Sequence, residues 1–181
     1  KPFVSDYLIN TIREYQSSLV ATPTARELVQ DDSLNWITEE EAVRIIRENP
    51  ETPLYSNSEN ALAWVDEYLK DSAFAEHVRL FKDKVRFREL IRDSYPDFRF
   101  RTIKLDEIPG LDPKELPFPF VIKPSVGFFS IGVHIVMDEA DWGRAREELN
   151  IEKLRSAYPV HVLNTTNFII EEYIEGDEFT I

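Results

Sequence analysis

The stretch Phe120 to Val133 reads FVIKPSVGFFSIGV, and its reading decides the fold. Apolar residues run into Lys123-Pro124-Ser125, a loop containing Gly127, Ser130 and Gly132 follows, and a second apolar run reaches Met137, broken only by His134. That is the pattern of strand, loop, strand, with a lysine at the root of a hairpin and small residues toward its tip. Glycine lets backbone N–H groups come close to an anion, and a lysine at the root adds positive charge beside them. On chemistry alone the stretch fits a lid over phosphate groups. The plainer alternative is an ordinary β-hairpin whose turn needs glycine.

Other phosphate-binding loops do not fit. Gly127 to Gly132 has the outer glycine spacing of a P-loop, but Val133-His134 follows where Lys-Ser/Thr is required, and no helical pattern comes next. The dinucleotide-binding G-x-G-x-x-G is absent.

Composition narrows the classes. A chain of 181 residues can bury a real core as one sizeable domain or two small ones. Its 43% hydrophobic and 30% charged residues are those of an ordinary globular protein. A net charge of −13 argues against nucleic acid as a partner, since that needs a basic surface. It leaves nucleotide binding open, because local lysines can act within an acidic whole. With no cysteine, disulfides, thiolate metal sites and thiol nucleophiles are all unavailable, which is compatible with a cytoplasmic protein. No apolar run approaches the roughly 20 residues of a membrane-spanning helix, so no membrane partner is expected. The chain starts without methionine and stops at Ile181 inside an apparent strand, so both ends are expected to continue into a longer protein.

Upstream, strands should alternate with helices. Phe3-Val4, Leu19-Val20-Ala21 and Leu54-Tyr55 are short strand candidates. Ser5 or Asp6 caps a helix carrying Leu8, Ile12 and Tyr15; Thr38 with Glu41, and Ser56 with Glu59, have capping-box spacing. The helix that follows Ser56 puts Leu62, Val65 and Leu69 on one side. This alternation predicts a small α/β domain over residues 1–80 with a mostly parallel sheet. Farther on, Asp83 caps a helix with Phe87, Leu90 and Ile91 turned inward, while its many basic residues read mostly as a solvated face. Phe98 to Leu105 alternates as a strand, and 106–119 holds four of the chain's 11 prolines and reads as loop or short helical turn. Asp138 caps a helix with Trp142, Ala145 and Leu149 facing in. Asn167 to Ile170 begins a buried strand that runs into acidic residues, turns at Gly176-Asp177 and resumes. The three histidines, His77, His134 and His161, show no metal-ligand spacing.

Three blocks in order, KDKVRFREL from Lys82, VIKPSVGFFSIGV from Val121 and IIEEYIEGDEFTI from Ile169, resemble the ATP-grasp superfamily, in particular its carboxylate–amine ligases. The resemblance covers residues 82–181. It implies an α/β fold, with a small Rossmann-like pre-ATP-grasp domain at 1–80 and the first α+β lobe of an ATP-grasp domain at 81–181, incomplete at its C-terminal end. It further implies ATP as cofactor, with Lys84 and Lys123 on the α- and β-phosphates. The loop from Ser125 through Gly127 and Ser130 to Gly132 would cover the triphosphate. Glu171 would accept from the adenine amino group, as would the backbone carbonyl of Glu172; the Ile174 N–H would donate to the ring, and Glu178 would accept from the ribose.

Mg²⁺ is expected, with its ligands outside this chain, so the 181-residue chain alone is expected to be inactive. The intact protein would activate a small-molecule carboxylate as an acylphosphate for attack by an amine or thiol, and a homo-oligomer is compatible with the resemblance. A regulatory ATP-binding module, or a phosphotransferase on the same scaffold, is the alternative. Phe128 and Phe129 depart from the small residues usual in family loops, which leaves the substrate side open.

Overall fold

The computed structural model describes residues 4–56, 58–127, 130–149 and 166–177. The chain divides into two compact units, Lys1–Ala75 and Glu76–Ile181.

The first unit is mainly helical. Helices α1 (Asp6–Glu14), α2 (Pro23–Leu28), α3 (Glu39–Glu48) and α4 (Glu59–Tyr68) each start where a hydroxyl meets an otherwise orphaned amide. Ser5 accepts from Leu8 N, Thr22 from Ala25 N, Thr38 from Glu41 N and Ser58 from Ala61 N. The cap of α4 is therefore Ser58, two residues beyond the Ser56 expected from the capping-box spacing. The Ser56 hydroxyl instead donates to the Ser58 carbonyl. Proline at the first position of α2 has no N–H to leave unpaired, which makes Thr22-Pro23 a start signal that the sequence reading passed over.

Two short strands, β1 (Leu19–Val20) and β2 (Trp36–Ile37), pair in parallel. The expected strand at Leu54-Tyr55 does not form. Tyr55 is exposed, and Pro53 just before Leu54 has no N–H to donate to a ladder. Val4 likewise lies outside any strand, while Phe3 is outside the described residues. Val65 and Leu69 are buried, as the helical spacing predicts, and so are Ala42 and Ile46 of α3.

Helix α5 (Ala73–Lys82), which the sequence reading left unassigned, spans the division between the units. The second unit continues with α6 (Lys84–Ile91), β3 (Phe100–Lys104), two 3₁₀ turns at Ile108–Gly110 and Pro113–Glu115, β4 (Phe120–Pro124), β5 (His134–Val136), α7 (Glu139–Glu148) and β6 (Asn167–Glu172). Its sheet is antiparallel throughout, in the order β3-β6-β4-β5. The last of the described strands in sequence thus lies inside the sheet, paired on both edges, and both of its faces are covered: Phe168, Ile169, Ile170 and Glu171 are all buried.

Strand alternation sorts these side chains to opposite faces. Phe168 and Ile170 join Ile103, Phe120, Ile122 and Val136 in an apolar core closed by Trp142, Ala145 and Leu149 of and just after α7. Asp138 caps α7, accepting from Ala140 N and Asp141 N. Trp142 meets Phe120 edge-on, with ring centroids 5.8 Å apart. Residues 150–165 and the strand expected after Asp177 lie outside the described residues.

Candidate functional site

The opposite face of the sheet carries Val121 and Lys123 on β4 and Ile169 and Glu171 on β6, with Val121 in register with Glu171 and Lys123 with Ile169. Helix α6 is tied to this face at the end of β4. Asp83 caps the helix, accepting from Val85 N and Arg86 N, and the amide of Lys84 donates to the Ser125 carbonyl at 2.8 Å. The Ser125 amide donates in turn to the Asn167 carbonyl at 2.9 Å, so helix start, loop root and β6 are joined by consecutive backbone bonds.

Here the polar side chains converge. The Glu171 carboxylate, 4% exposed, is held from two directions. Arg88 Nε donates to its Oε1 at 2.6 Å, and Lys123 Nζ pairs with its Oε2. Burial of so small an acid is tolerable because both oxygens have cationic partners. The Arg88 guanidinium also sits over the Phe98 ring, 4.9 Å from its centroid. Burial, and next the nearby Lys123 charge, push the Lys84 ammonium below its usual pKa, against the opposing pull of Glu171 and Asp83. A site that destabilises its own ammonium in this way gains from an incoming anion.

Ser125 supplies a further sign of incompleteness: its hydroxyl is buried and has no hydrogen-bond partner among the described residues. An unpaired buried hydroxyl costs free energy, and a ligand oxygen at this position would remove that cost.

The loop leaving Ser125 returns through Ser130, which has φ 56° and whose carbonyl accepts from Val133 N, and Gly132, with φ 71°. A Cβ on Gly132 would lie 3.0 Å from Pro124 Cγ, so glycine is required there by conformation and by space. Gly127 is half-buried in the outgoing limb and Ser130 is exposed. Phe128 and Phe129 are outside the described residues.

The structure therefore brings Lys84, Lys123, Ser125 and Glu171 together. Glu172 faces the other way, its carboxylate accepting from exposed Arg99 Nε at 3.0 Å and its amide donating to the Arg99 carbonyl. Tyr173 N donates to the Pro119 carbonyl at 3.3 Å, and Ile174 beyond it is exposed. Glu178 lies outside the described residues.

Arg88 was missed by the sequence reading, which took the basic residues of α6 mostly as a solvated face. Its spacing four residues after Lys84 puts it on the same helix side, and that was the available signal. The same geometry corrects Leu90, which is 56% exposed rather than inward. At two residues from Arg88 it lies on the opposite side of the helix. Among the described residues no group of three or more His, Asp or Glu side chains could hold a metal ion, and no helix is long and apolar enough to cross a membrane.

Residues 116–181 match the family model of the ATP-grasp domain. No curated protein matches the chain. Solved structures do. The biotin carboxylase domain of the 2-oxoglutarate carboxylase of Hydrogenobacter thermophilus, determined as a dimer with MgADP, ADP and bicarbonate, is 15% identical with a TM-score of 0.54, over 92% of this chain and 41% of that one. An L-amino acid ligase from Bacillus licheniformis is 18% identical with a TM-score of 0.47, over 78% of this chain and 36% of that one. D-alanine–D-alanine ligase from Helicobacter pylori is 22% identical with a TM-score of 0.42, over 56% of this chain and 29% of that one. The chain spans 29% to 41% of the length of these structures. It shares the mixed α/β fold of the biotin carboxylase domain. Over residues 116–181 the chain is similar to the ATP-grasp domain, in agreement with the resemblance that its three sequence blocks carry.

Proposed function

We propose that the chain is the N-terminal part of an ATP-dependent carboxylate–amine or carboxylate–thiol ligase, with 1–80 a Rossmann-like pre-ATP-grasp domain and 81–181 the first lobe of the ATP-grasp domain. The observation that carries this reading is the meeting of Lys84, Lys123 and Glu171 at the root of the Ser125–Gly132 loop. Two lysines in a partly desolvated place suit a polyphosphate, because the weaker screening there strengthens their attraction to it.

In this reading Lys84 and Lys123 neutralise phosphate charge, and the Ser125 hydroxyl finds its missing partner. The loop through Gly127, Ser130 and Gly132 offers backbone N–H groups. Glu171 accepts from the adenine amino group, the Glu172 carbonyl and Ile174 N–H serve the rest of the base edge, and Glu178 takes the ribose. In the intact protein, MgATP supplies the phosphoryl group that converts a small carboxylate to an acylphosphate with release of ADP. An amine or thiol then displaces phosphate. Positioning and electrostatics suffice for this chemistry, so no nucleophilic side chain is required.

Calorimetry of ATP binding to the chain tests the nucleotide site. Lys123→Ala should weaken binding by about tenfold or more, the order expected for loss of a charged contact. No measurable ATP binding by the unsubstituted chain, or an unchanged affinity in both Lys123→Ala and Lys84→Ala, rules the reading out. For the intact protein, ADP release screened against amino acids and other small carboxylates identifies the acceptor.

A further inference from the structure

Lys123 has two claims upon it, and this is where Arg88 enters. In the structure Lys123 is paired with Glu171 Oε2. If a phosphate draws the ammonium away, a carboxylate that is almost wholly buried loses one of its two cationic partners. A buried carboxylate stripped of its partners is strongly unfavourable. Among the described contacts, Arg88 is the cation that stays, holding Oε1 through Nε at 2.6 Å. Its guanidinium is itself fixed, lying over the Phe98 ring and rooted on α6, whose first amide is bonded to the loop root at Ser125.

We propose that Arg88 is a positioning residue for nucleotide recognition: it anchors one oxygen of Glu171 so that Lys123 can turn to a phosphate while the other oxygen is left aimed at a hydrogen-bond donor on the base. This rests on the nucleotide site proposed above. A lysine at position 88 could supply charge but not the same planar, stacked donor, so the substitution is not conservative here. Arg88 acts through Glu171 and does not itself contact the ligand.

The experiment uses the 181-residue chain and compares binding of ATP with that of inosine triphosphate, which carries a carbonyl where adenine carries its amino group. The unsubstituted chain should prefer ATP by about tenfold, the order supplied by a hydrogen bond to a charged group. Arg88→Ala should bring that preference close to one and weaken ATP binding by about tenfold. Arg88→Lys should restore part of it. Where Glu171→Gln has already removed the charge that Arg88 holds, adding Arg88→Ala should cost less than about twofold, because coupled residues are not additive. Arg88→Gln, which keeps a neutral donor, repeats the comparison should the alanine variant fail to fold.

If Arg88→Ala costs as much alongside Glu171→Gln as without it, Arg88 acts on the ligand directly or only on the fold, and the inference is overturned. An undiminished ATP preference in Arg88→Ala overturns it as well, with the nucleotide site itself intact. Failure of the unsubstituted chain to bind either nucleotide removes the site and this inference together.

Discussion

In the first unit, Thr22, Thr38 and Ser58 each start a helix by accepting from an amide three residues on. In the second, the bonds that define the structure span the chain: Arg88 reaches Glu171 across 83 residues and Arg99 reaches Glu172 across 73. Electrostatics follow the same division. Asp31 is held below the usual carboxylate range chiefly by hydrogen bonds from Ser33, and Glu40 by bonds from its own backbone and Thr38. Lys84 is perturbed by burial and by Lys123, on a strand distant in sequence. Local bonds set where elements begin. The candidate site is assembled from non-local contacts, and its groups do not all suit one another.

This contrast is open to measurement. Trp142→Ala removes the residue that closes the apolar core of the second unit and should cost about 3–5 kcal/mol. Thr38→Ala removes one local cap and should cost about 1 kcal/mol. Urea unfolding of both variants breaks the comparison if the cap proves as costly as the core.

Gly132→Ala falls between them, at about 1–3 kcal/mol, since φ 71° and contact with Pro124 both oppose a side chain. A midpoint unchanged from the parent would mean that the loop is not braced at Gly132.

The smallest effect is the dependence on pH: stability rises with pH in both regions, in the acid range for the first and in the alkaline range for the second. The lowered carboxylates of Asp31 and Glu40 contribute stability above their ordinary values of 3.8 and 4.5, lost as the pH falls through their folded values. For Lys84 the folded value lies below the ordinary 10.5. The unfolded chain therefore holds its proton longer, and stability rises with pH between the folded value and 10.5. Lys84→Met should flatten that alkaline rise and leave the acid limb unchanged, as read from urea midpoints at a series of pH values.

The same division explains what could be read from the sequence. Ser5, Thr38, Asp83 and Asp138 were legible as caps because a hydroxyl or carboxylate three or fewer residues from an orphaned amide needs no knowledge of the rest of the fold. The hairpin strands and the buried Trp142, Ala145 and Leu149 were legible through periodicity. Strand order was not: nothing between Asn167 and Glu172 says that they pair with β3 on one edge and β4 on the other.

Arg88 and Leu90 show the cost most plainly. On α6 the side that meets the sheet is the charged one, because it faces Glu171, so a rule that turns apolar residues inward misplaces both. Lys123 and Glu171 were each identifiable as site candidates, but their mutual pairing depends on the register of β4 with β6.

The brace at the base of the loop has one more consequence. Ser125 is pinned through its amide to Asn167 and through its carbonyl to Lys84, and Gly132 on the returning limb rests against the ring of Pro124. The two stems are thus anchored independently of whatever is strung between them. Residues could be added or removed between 126 and 131 with the pairing of Phe120 to Val136 and Ile122 to His134 unchanged. The length of the loop can in this way be altered as a separate quantity, without re-engineering the sheet that carries it.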